Sequence, residues 1–502
     1  MKLSDYQWSR NPRGMHNQGA MILDKLIEQK MGIAKVVGLD AGFADFCRAL
    51  IDRGITPIVR IYRPQHSGVP IDPEMLNQFS QYLQAGVKWF EIYNEPNLPI
   101  EWPPGRNFDP MNTAQVIAPI CDNWLNWAEF ILDHGGYPGF IPLSEAGGGW
   151  ENTTTWINQL SLYMADRHFN RFLGILNNGF WLATHPYILN HFYQEMPGGG
   201  PVSARPPEGQ NYAEPGWHFE YPYDPICQAS DPGRTVWGET PLVPLGDVHG
   251  LLGSGLAWLE RLQDLFGVGA VPVIGTEGGL WPIPTPQGVQ QLDVRYPGFT
   301  WESHGHATQA MFDWISTQAP PWMFGVALWK WDLYYSPPSG GEMPAAAIFR
   351  DTSPILRNVP PVEAIGDFDL RILAERQAAE QGPPPPVVVV EPPGPGRIHG
   401  EPDFHFVILA PGIDPEWFFG VAAVYWERFQ PTLMTINDFI NFLPKTVSLA
   451  ATVITTPEQV DLMNRQIARR WTNVYMDMIV ATQPREIEEL LNSRVAAGRR
   501  FG

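Results

Sequence analysis

One rhythm recurs along the chain eight times: a short apolar run, a turn, then apolar residues at helical spacing. Apolar runs of this length read as buried strands. Helices between them imply parallel pairing, since a parallel crossover needs a dozen residues or more. The strand candidates are residues 13–17, 33–39, 56–62, 89–97, 140–145, 180–187, 271–277 and 325–331. Helical stretches fall at about 43–53, 113–133 and 154–175. Another opens at Asp72-Pro73-Glu74, a capping residue followed by proline at the first helical position. Eight such units predict a (β/α)8 barrel, or TIM barrel, in which chemistry sits at the C-terminal ends of the strands.

The units are not evenly spaced. Three of them at roughly 30 residues each would take about 90, yet the stretch from the fourth strand to the seventh is about twice that. The excess lies largely at about 190–250, a Pro/Gly/aromatic insertion that follows strand six and would overhang the barrel mouth. The barrel is expected to occupy residues 1–377. Residues 378–402 read as a stiff, proline-rich linker. Residues 403–502 hold three more strand candidates, 404–409, 448–454 and 474–480, with helices opening at Asp414-Pro415, Thr456-Pro457 and Gln483-Pro484. That pattern predicts a small βαβαβα domain without a glycine-rich phosphate loop, which reads as an accessory or interface module.

Charge and composition narrow the partners. A net charge of −20 over 502 residues argues against nucleic acid and against an anionic membrane surface. No apolar run approaches the roughly 20 residues that span a bilayer. Met1-Lys2-Leu3-Ser4-Asp5-Tyr6 carries no signal-peptide core, so a cytoplasmic location is expected, or a secreted one if the N-terminus has been processed. The 51 prolines are about twice the usual ~5% share. Beside 20 Trp, 26 Phe and 16 Tyr, they read as rigid loops and not as disorder. Cys47, Cys121 and Cys227 lack metal-ligand spacing, and the first two fall in helical patterns as buried apolar residues. His304 and His306 are too few for a metal site.

Two strand tips carry a carboxylate: Asn94-Glu95-Pro96 after the fourth strand and Thr276-Glu277-Gly278-Gly279 after the seventh. Facing carboxylates can divide the work of breaking a glycosidic bond. One protonates the poor alkoxide leaving group; the other meets the positive, oxocarbenium-like carbon. A bare Asn-Glu-Pro arises by chance in about one chain in twenty of this length, so the ordered set of motifs carries the weight. His185-Pro186-Tyr187 on the sixth strand and Trp329 on the eighth complete that set.

Over roughly residues 10–375 these motifs resemble clan A of the glycoside hydrolases. The resemblance implies retaining cleavage of β-glycosidic bonds in an oligo- or polysaccharide, with Glu95 as acid/base, Glu277 as nucleophile, and no metal or organic cofactor. It also implies that Asn94 hydrogen-bonds the sugar 2-hydroxyl, that Tyr187 holds Glu277 ionised, that His185 lines the subsite and that Trp329 forms its floor. Many clan members carry an arginine on strand two, whereas Arg60 falls on strand three by this count; it is open between a site residue and a buried ion pair. Glu145, at the expected tip of strand five, would bind a sugar hydroxyl or pair with a cation. Trp281, with Trp102, Trp150 and Trp217, follows a strand end or lies in the insertion, and each is open between a sugar-stacking ring and core packing. Lys330 and Asp332 have no motif support for Schiff-base chemistry. The same residues would serve a transglycosylase, and a sugar-binding barrel without turnover is the non-enzymatic alternative.

Overall fold

The computed structural model describes residues 1–17, 21–188, 192–196, 205–206, 209–211, 213–285, 288–290, 299–335, 342–364, 404–411, 413, 415–436, 439, 449–464, 467 and 474–501. The chain divides into two compact units, Met1–Leu373 and Ala374–Gly502.

In the first unit eight parallel strands close into a barrel. They are β1 (Arg13–His16), β2 (Ile33–Gly38), β3 (Thr56–Ile61), β4 (Trp89–Glu91), β5 (Tyr137–Phe140), β6 (Trp181–Thr184), β7 (Val273–Gly278) and β8 (Met323–Leu328). Each neighbours the next in sequence, and β8 closes on β1. Helices follow every strand: Leu23–Glu28, Ala44–Asp52, Pro73–Gln84, Ala118–Asp133, Thr153–Arg167 with Phe169–Asn177, Gly253–Phe266, Trp301–Thr317 and Pro344–Asp351. This is the TIM barrel that the rhythm predicts. Helices outside and side chains inside leave the strands no solvated face, which is why they read as unbroken apolar runs. The helix from Pro73 starts as expected, with the Asp72 side chain accepting from Met75 N–H at 2.7 Å.

Several boundaries differ from the sequence reading. Of residues 89–97 only Trp89–Glu91 pair as strand; the chain then runs without regular structure to a turn at Pro96-Asn97. Strand five is Tyr137–Phe140, not 140–145, so Glu145 lies in the loop beyond it. Proline and glycine hide this strand from propensity. Its Gly139 is required by packing, since a Cβ there would sit 2.5 Å from the Trp181 ring. The 154–175 helix is two helices broken at His168, and strand eight ends at Leu328, before Trp329. The insertion after β6 holds a two-stranded antiparallel ribbon, Phe192–Gln194 with Trp217–Phe219, and a short helix Pro225–Ser230.

The second unit is a parallel sheet of β9 (Phe404–Leu409), β10 (Thr432–Thr435), β11 (Leu449–Thr455) and β12 (Val474–Val480) in the order β10-β9-β11-β12. β10 was not expected: it is a four-residue, half-exposed edge strand, too short to show a period. Helices open at Pro415 and Pro484, as the sequence predicts, and a 3-10 turn opens at Pro457. The linker proposed at 378–402 lies outside the described residues. No described helix is long and apolar enough to cross a membrane.

Phe140 shows how the first unit is held. It is fully buried, and its ring meets Trp124 at 4.7 Å, Trp258 at 4.9 Å, Phe172 at 5.4 Å and Phe180 at 5.5 Å, which joins β5 to the helices packed over it. Phe140→Ala should therefore cost about 3–5 kcal/mol, and Phe140→Leu clearly less. Denaturation followed by tryptophan fluorescence checks this ranking, and equal losses would mean that the cluster is not packed as described.

Candidate active site

The Glu95 and Glu277 carboxylates converge on His185. Its Nδ1 lies 2.8 Å from Glu95 Oε1 and 3.9 Å from Glu277 Oε2. Backbone turns on both sides produce this meeting. Glu95 is the first residue of a turn closed by Leu98 N–H on the Glu95 carbonyl at 2.8 Å, with Pro96 at the position where its fixed φ fits. The Trp102 indole N–H donates to the Pro96 carbonyl at 2.6 Å. Buried Asn97 then ties the turn to the loop after β5, donating to the Ser144 and Glu151 carbonyls at 2.9 Å each and accepting from Ser144 N–H at 2.9 Å.

On the other side, Gly278 has φ 145°, and a Cβ there would stand 2.4 Å from the Pro186 carbonyl oxygen. Glycine thus lets the loop after β6 lie directly on the end of β7, with Gly279 N–H donating to that carbonyl at 3.0 Å. Tyr187 is carried in, and its hydroxyl reaches Glu277 Oε2 at 3.5 Å. Trp329 N–H donates to the Gly278 carbonyl at 2.9 Å, so the end of β8 joins the same seam. The Trp329–Lys330 peptide bond is cis.

Glu277 sits in a cage of donors. Arg60 Nη2 is 3.2 Å from its Oε1, His16 Nε2 is 3.4 Å from the same oxygen, and Tyr187 approaches the other. Burial alone would raise its pKa, but His185, His16 and Arg60 outweigh burial and hold it well below the usual carboxylate range. His185 is fully buried, yet the two carboxylates outweigh that and raise its pKa. His16 is driven the other way: burial lowers its pKa despite Glu277. Its ring packs against Trp329 with centroids 4.6 Å apart.

Arg60 is on strand three, as counted, where it contacts Glu277 and belongs to a buried ion network. It donates to the Asn94 side-chain oxygen, and its Nη1 lies 3.5 Å from Glu91. Glu91 in turn meets Lys35 at 2.5 Å, with both side chains fully buried. Burial pushes Lys35 down to about 8 against the pull of Glu91, and the Arg60 charge adds to the push. Glu91 faces both cations, which overcome burial and keep its pKa low. Asn94 also donates to Glu101 at 2.7 Å, and burial raises the pKa of Glu101. His16, Lys35, Glu91 and Glu101 escaped the sequence reading. For Lys35 and Glu91 the available signal was a charge in an otherwise apolar strand, which demands a buried partner.

The remaining candidates separate clearly. Glu145 is half-buried in the loop after β5; burial raises its pKa well above the usual range, and the carboxylates of Asp247 and Glu95 add to the rise. Pairing with a cation is thus not what holds it. Trp281 is 37% exposed, edge-on to Tyr187 at 5.7 Å, and Trp150 is 50% exposed. Trp102 and Trp217 are core residues, 1% and 3% exposed. Among the described residues no group of His, Cys, Asp and Glu could hold a metal ion.

No family model and no curated protein matches the chain. Solved structures do align. A D-psicose 3-epimerase from Clostridium cellulolyticum H10 is 12% identical, over 36% of this chain and 74% of its own, at a TM-score of 0.23. A glycoside hydrolase family 5 enzyme from Prevotella bryantii B14 is 11% identical, over 66% and 86%, at 0.29. An endo-beta-1,4-mannanase from Thermotoga petrophila is 11% identical, over 70% and 77%, at 0.31. Matches this loose carry no argument about residues or chemistry, and the barrel stands on its own strand order.

Two expectations follow from the network. Lys35→Met leaves Glu91 with one cation and should cost roughly 3 kcal/mol or more, whereas Lys35→Met combined with Glu91→Leu should recover part of that loss. A denaturant series on the single and double variants checks it; additive losses would contradict the pairing. The second concerns pH. The folded pKa of Glu277 lies below the ~4.3 of an unfolded glutamate, so its stabilisation is complete above that pH and is lost as pH falls through the folded value. The folded pKa of His185 lies above the ~6.5 of an unfolded histidine, so its share is complete below that pH and is lost as pH rises through the folded value. The stability gap between wild type and Glu277→Gln should be widest near pH 5–6 and narrow on either side. A gap that widens in acid would rule out the cage.

Proposed function

We propose that the protein is a retaining glycoside hydrolase acting on β-glycosidic bonds of an oligo- or polysaccharide, with Glu95 as acid/base and Glu277 as nucleophile. The observation that carries this reading is the shared contact with His185. It caps the distance between Glu95 Oε1 and Glu277 Oε2 at the sum of the two contacts. A ceiling on that oxygen pair is compatible with the ~5–5.5 Å spacing of double displacement.

The environments support the same division. Glu277, held ionised among Arg60, His16 and Tyr187, attacks the anomeric carbon while the C–O bond to the leaving group breaks and Glu95 gives that oxygen a proton. Glu95 then takes a proton from water, whose oxygen displaces Glu277 from the carbon and restores both carboxyl groups. Asn94, held between Arg60 and Glu101, is set to meet the sugar hydroxyl beside the reacting carbon, and Trp329 offers its ring as the floor. Transfer to a sugar acceptor in place of water would use the same residues.

A panel of aryl glycosides and neutral polysaccharides tests the assignment. Glu277→Gln should abolish turnover. Glu95→Gln should lower kcat by about 10²–10⁴ on substrates with poor leaving groups and far less on dinitrophenyl glycosides, whose departure needs no proton. Wild-type rates from Glu277→Gln would overturn the proposal.

A further inference from the structure

We propose that Trp150 and Phe108 form a sugar-stacking platform on the leaving-group side of the mouth, and that the substrate is therefore an extended neutral glycan chain. The inference rests on the assignment of Glu95 and Glu277 above and adds where the chain runs beyond the cleaved bond.

Trp150 combines an exposed ring with a clamped backbone. Half of the residue is open to water, although burying so large an apolar ring is favourable at about 25 cal/mol per Å². Its carbonyl accepts the Trp156 indole N–H at 2.6 Å, and residues Gly149–Glu151 form a 3-10 turn. On one side Asn97 holds the Glu151 carbonyl; on the other, the Thr153 hydroxyl and Asn97 both hold the Ser144 carbonyl. Phe108, from the loop after β4, meets the Trp150 ring edge-on at 5.5 Å and 89°, which props the indole without covering it. Trp102, in the loop after β4, and Trp217, in the insertion after β6, are buried by contrast at 1% and 3% exposure.

Position gives the platform its meaning. Asn97, which holds the loop of Trp150, is two residues from Glu95. In the ring of strands β5 lies diametrically opposite β1, and it is at β1 and β8 that His16 and Trp329 pack together. A sugar seated on Trp329 therefore points its neighbour past Glu95, the group that must protonate the bond between them, and onward to the loops carrying Phe108 and Trp150. Flat aromatic rings bind the C–H faces of pyranoses. Among the described residues no cationic side chain meets the Trp150 or Phe108 ring, so nothing seen there selects an acidic sugar.

The test compares Trp150→Ala and Trp150→Phe with wild type on two substrate classes: single-sugar nitrophenyl glycosides, and neutral β-linked gluco-, manno- and xylo-oligosaccharides of two to six units. Trp150→Ala should lose about tenfold in kcat/KM on the longest oligosaccharide cleaved, mainly through KM, and change less than about twofold on the aryl glycoside. Trp150→Phe should keep most of the activity. Equal losses on both classes, or no loss on either, would overturn the platform. Oligosaccharide binding to Glu277→Gln, with and without Trp150→Ala, reads the platform even if turnover is absent. Weaker binding in the double variant supports it and equal binding overturns it, whereas a failed nucleophile assignment would show only as unchanged turnover in Glu277→Gln.

Discussion

The Arg60 guanidinium, buried at the tip of β3, reaches Glu91 on β4, Asn94 beyond it and Glu277 across the mouth. A cation this far from water is tolerable only if its hydrogen-bond donors are matched, because the desolvation penalty of an unpaired buried ion is several kcal/mol. Its planar fork can serve partners in different directions at fixed angles, which a lysine ammonium cannot. Lys35 and Glu91 complete the arrangement from below, so that Glu91 shares two cations and Arg60 remains free to hold Glu277. Removing any member exposes the others to an uncompensated charge. The orientation of Glu277 thus depends on Lys35 and Glu91, which do not touch it, as well as on Arg60, which does.

Backbone contacts supply the other half of the geometry. Arg60 fixes where Glu277 points, but Tyr187 and His185 reach it only because Gly278 lets Pro186 lie against the end of β7. On the opposite side Asn97 performs a comparable service with a side chain, joining the turn of Glu95 to the loop after β5. The two sides are built differently. The seam around Gly278 is backbone against backbone with no room for a Cβ, while the Asn97 staple spans a gap between loops. The site therefore inherits its spacing from one glycine and one asparagine.

The eight-fold rhythm made the barrel legible because parallel strands covered on both faces read as continuous apolar runs. β5 was displaced in that reading because Tyr137-Pro138-Gly139-Phe140 has poor strand propensity; the Trp181 indole lying against Gly139 decides it, and that contact is tertiary. β10 was missed for want of length. In the site, Glu95, Glu277, His185, Tyr187 and Trp329 were legible because each lies at a strand end within a local motif. His16, Lys35 and Glu91 are polar residues within or at the ends of short strands, where no spacing rule pairs them. Four tryptophans looked alike in sequence, and only packing separates the buried Trp102 and Trp217 from the exposed Trp150 and Trp281.

The contrast between the two carboxylates bears most directly on chemistry. Glu277 has a side chain only 6% exposed and meets Arg60, His16 and Tyr187, so its charge is stabilised from several directions at once. The Glu95 side chain is 13% exposed, and among the described residues its carboxylate meets His185 at 2.8 Å. A group that must remain an anion until it bonds to carbon gains from such a cage. A group that must release and regain a proton within one cycle would be disabled by it, because every added cation favours the ionised form. Rigidity and electrostatics are separable here. The turn at Pro96, braced by Trp102 and Asn97, positions Glu95 through its backbone, whereas Glu277 is held through contacts to its carboxylate.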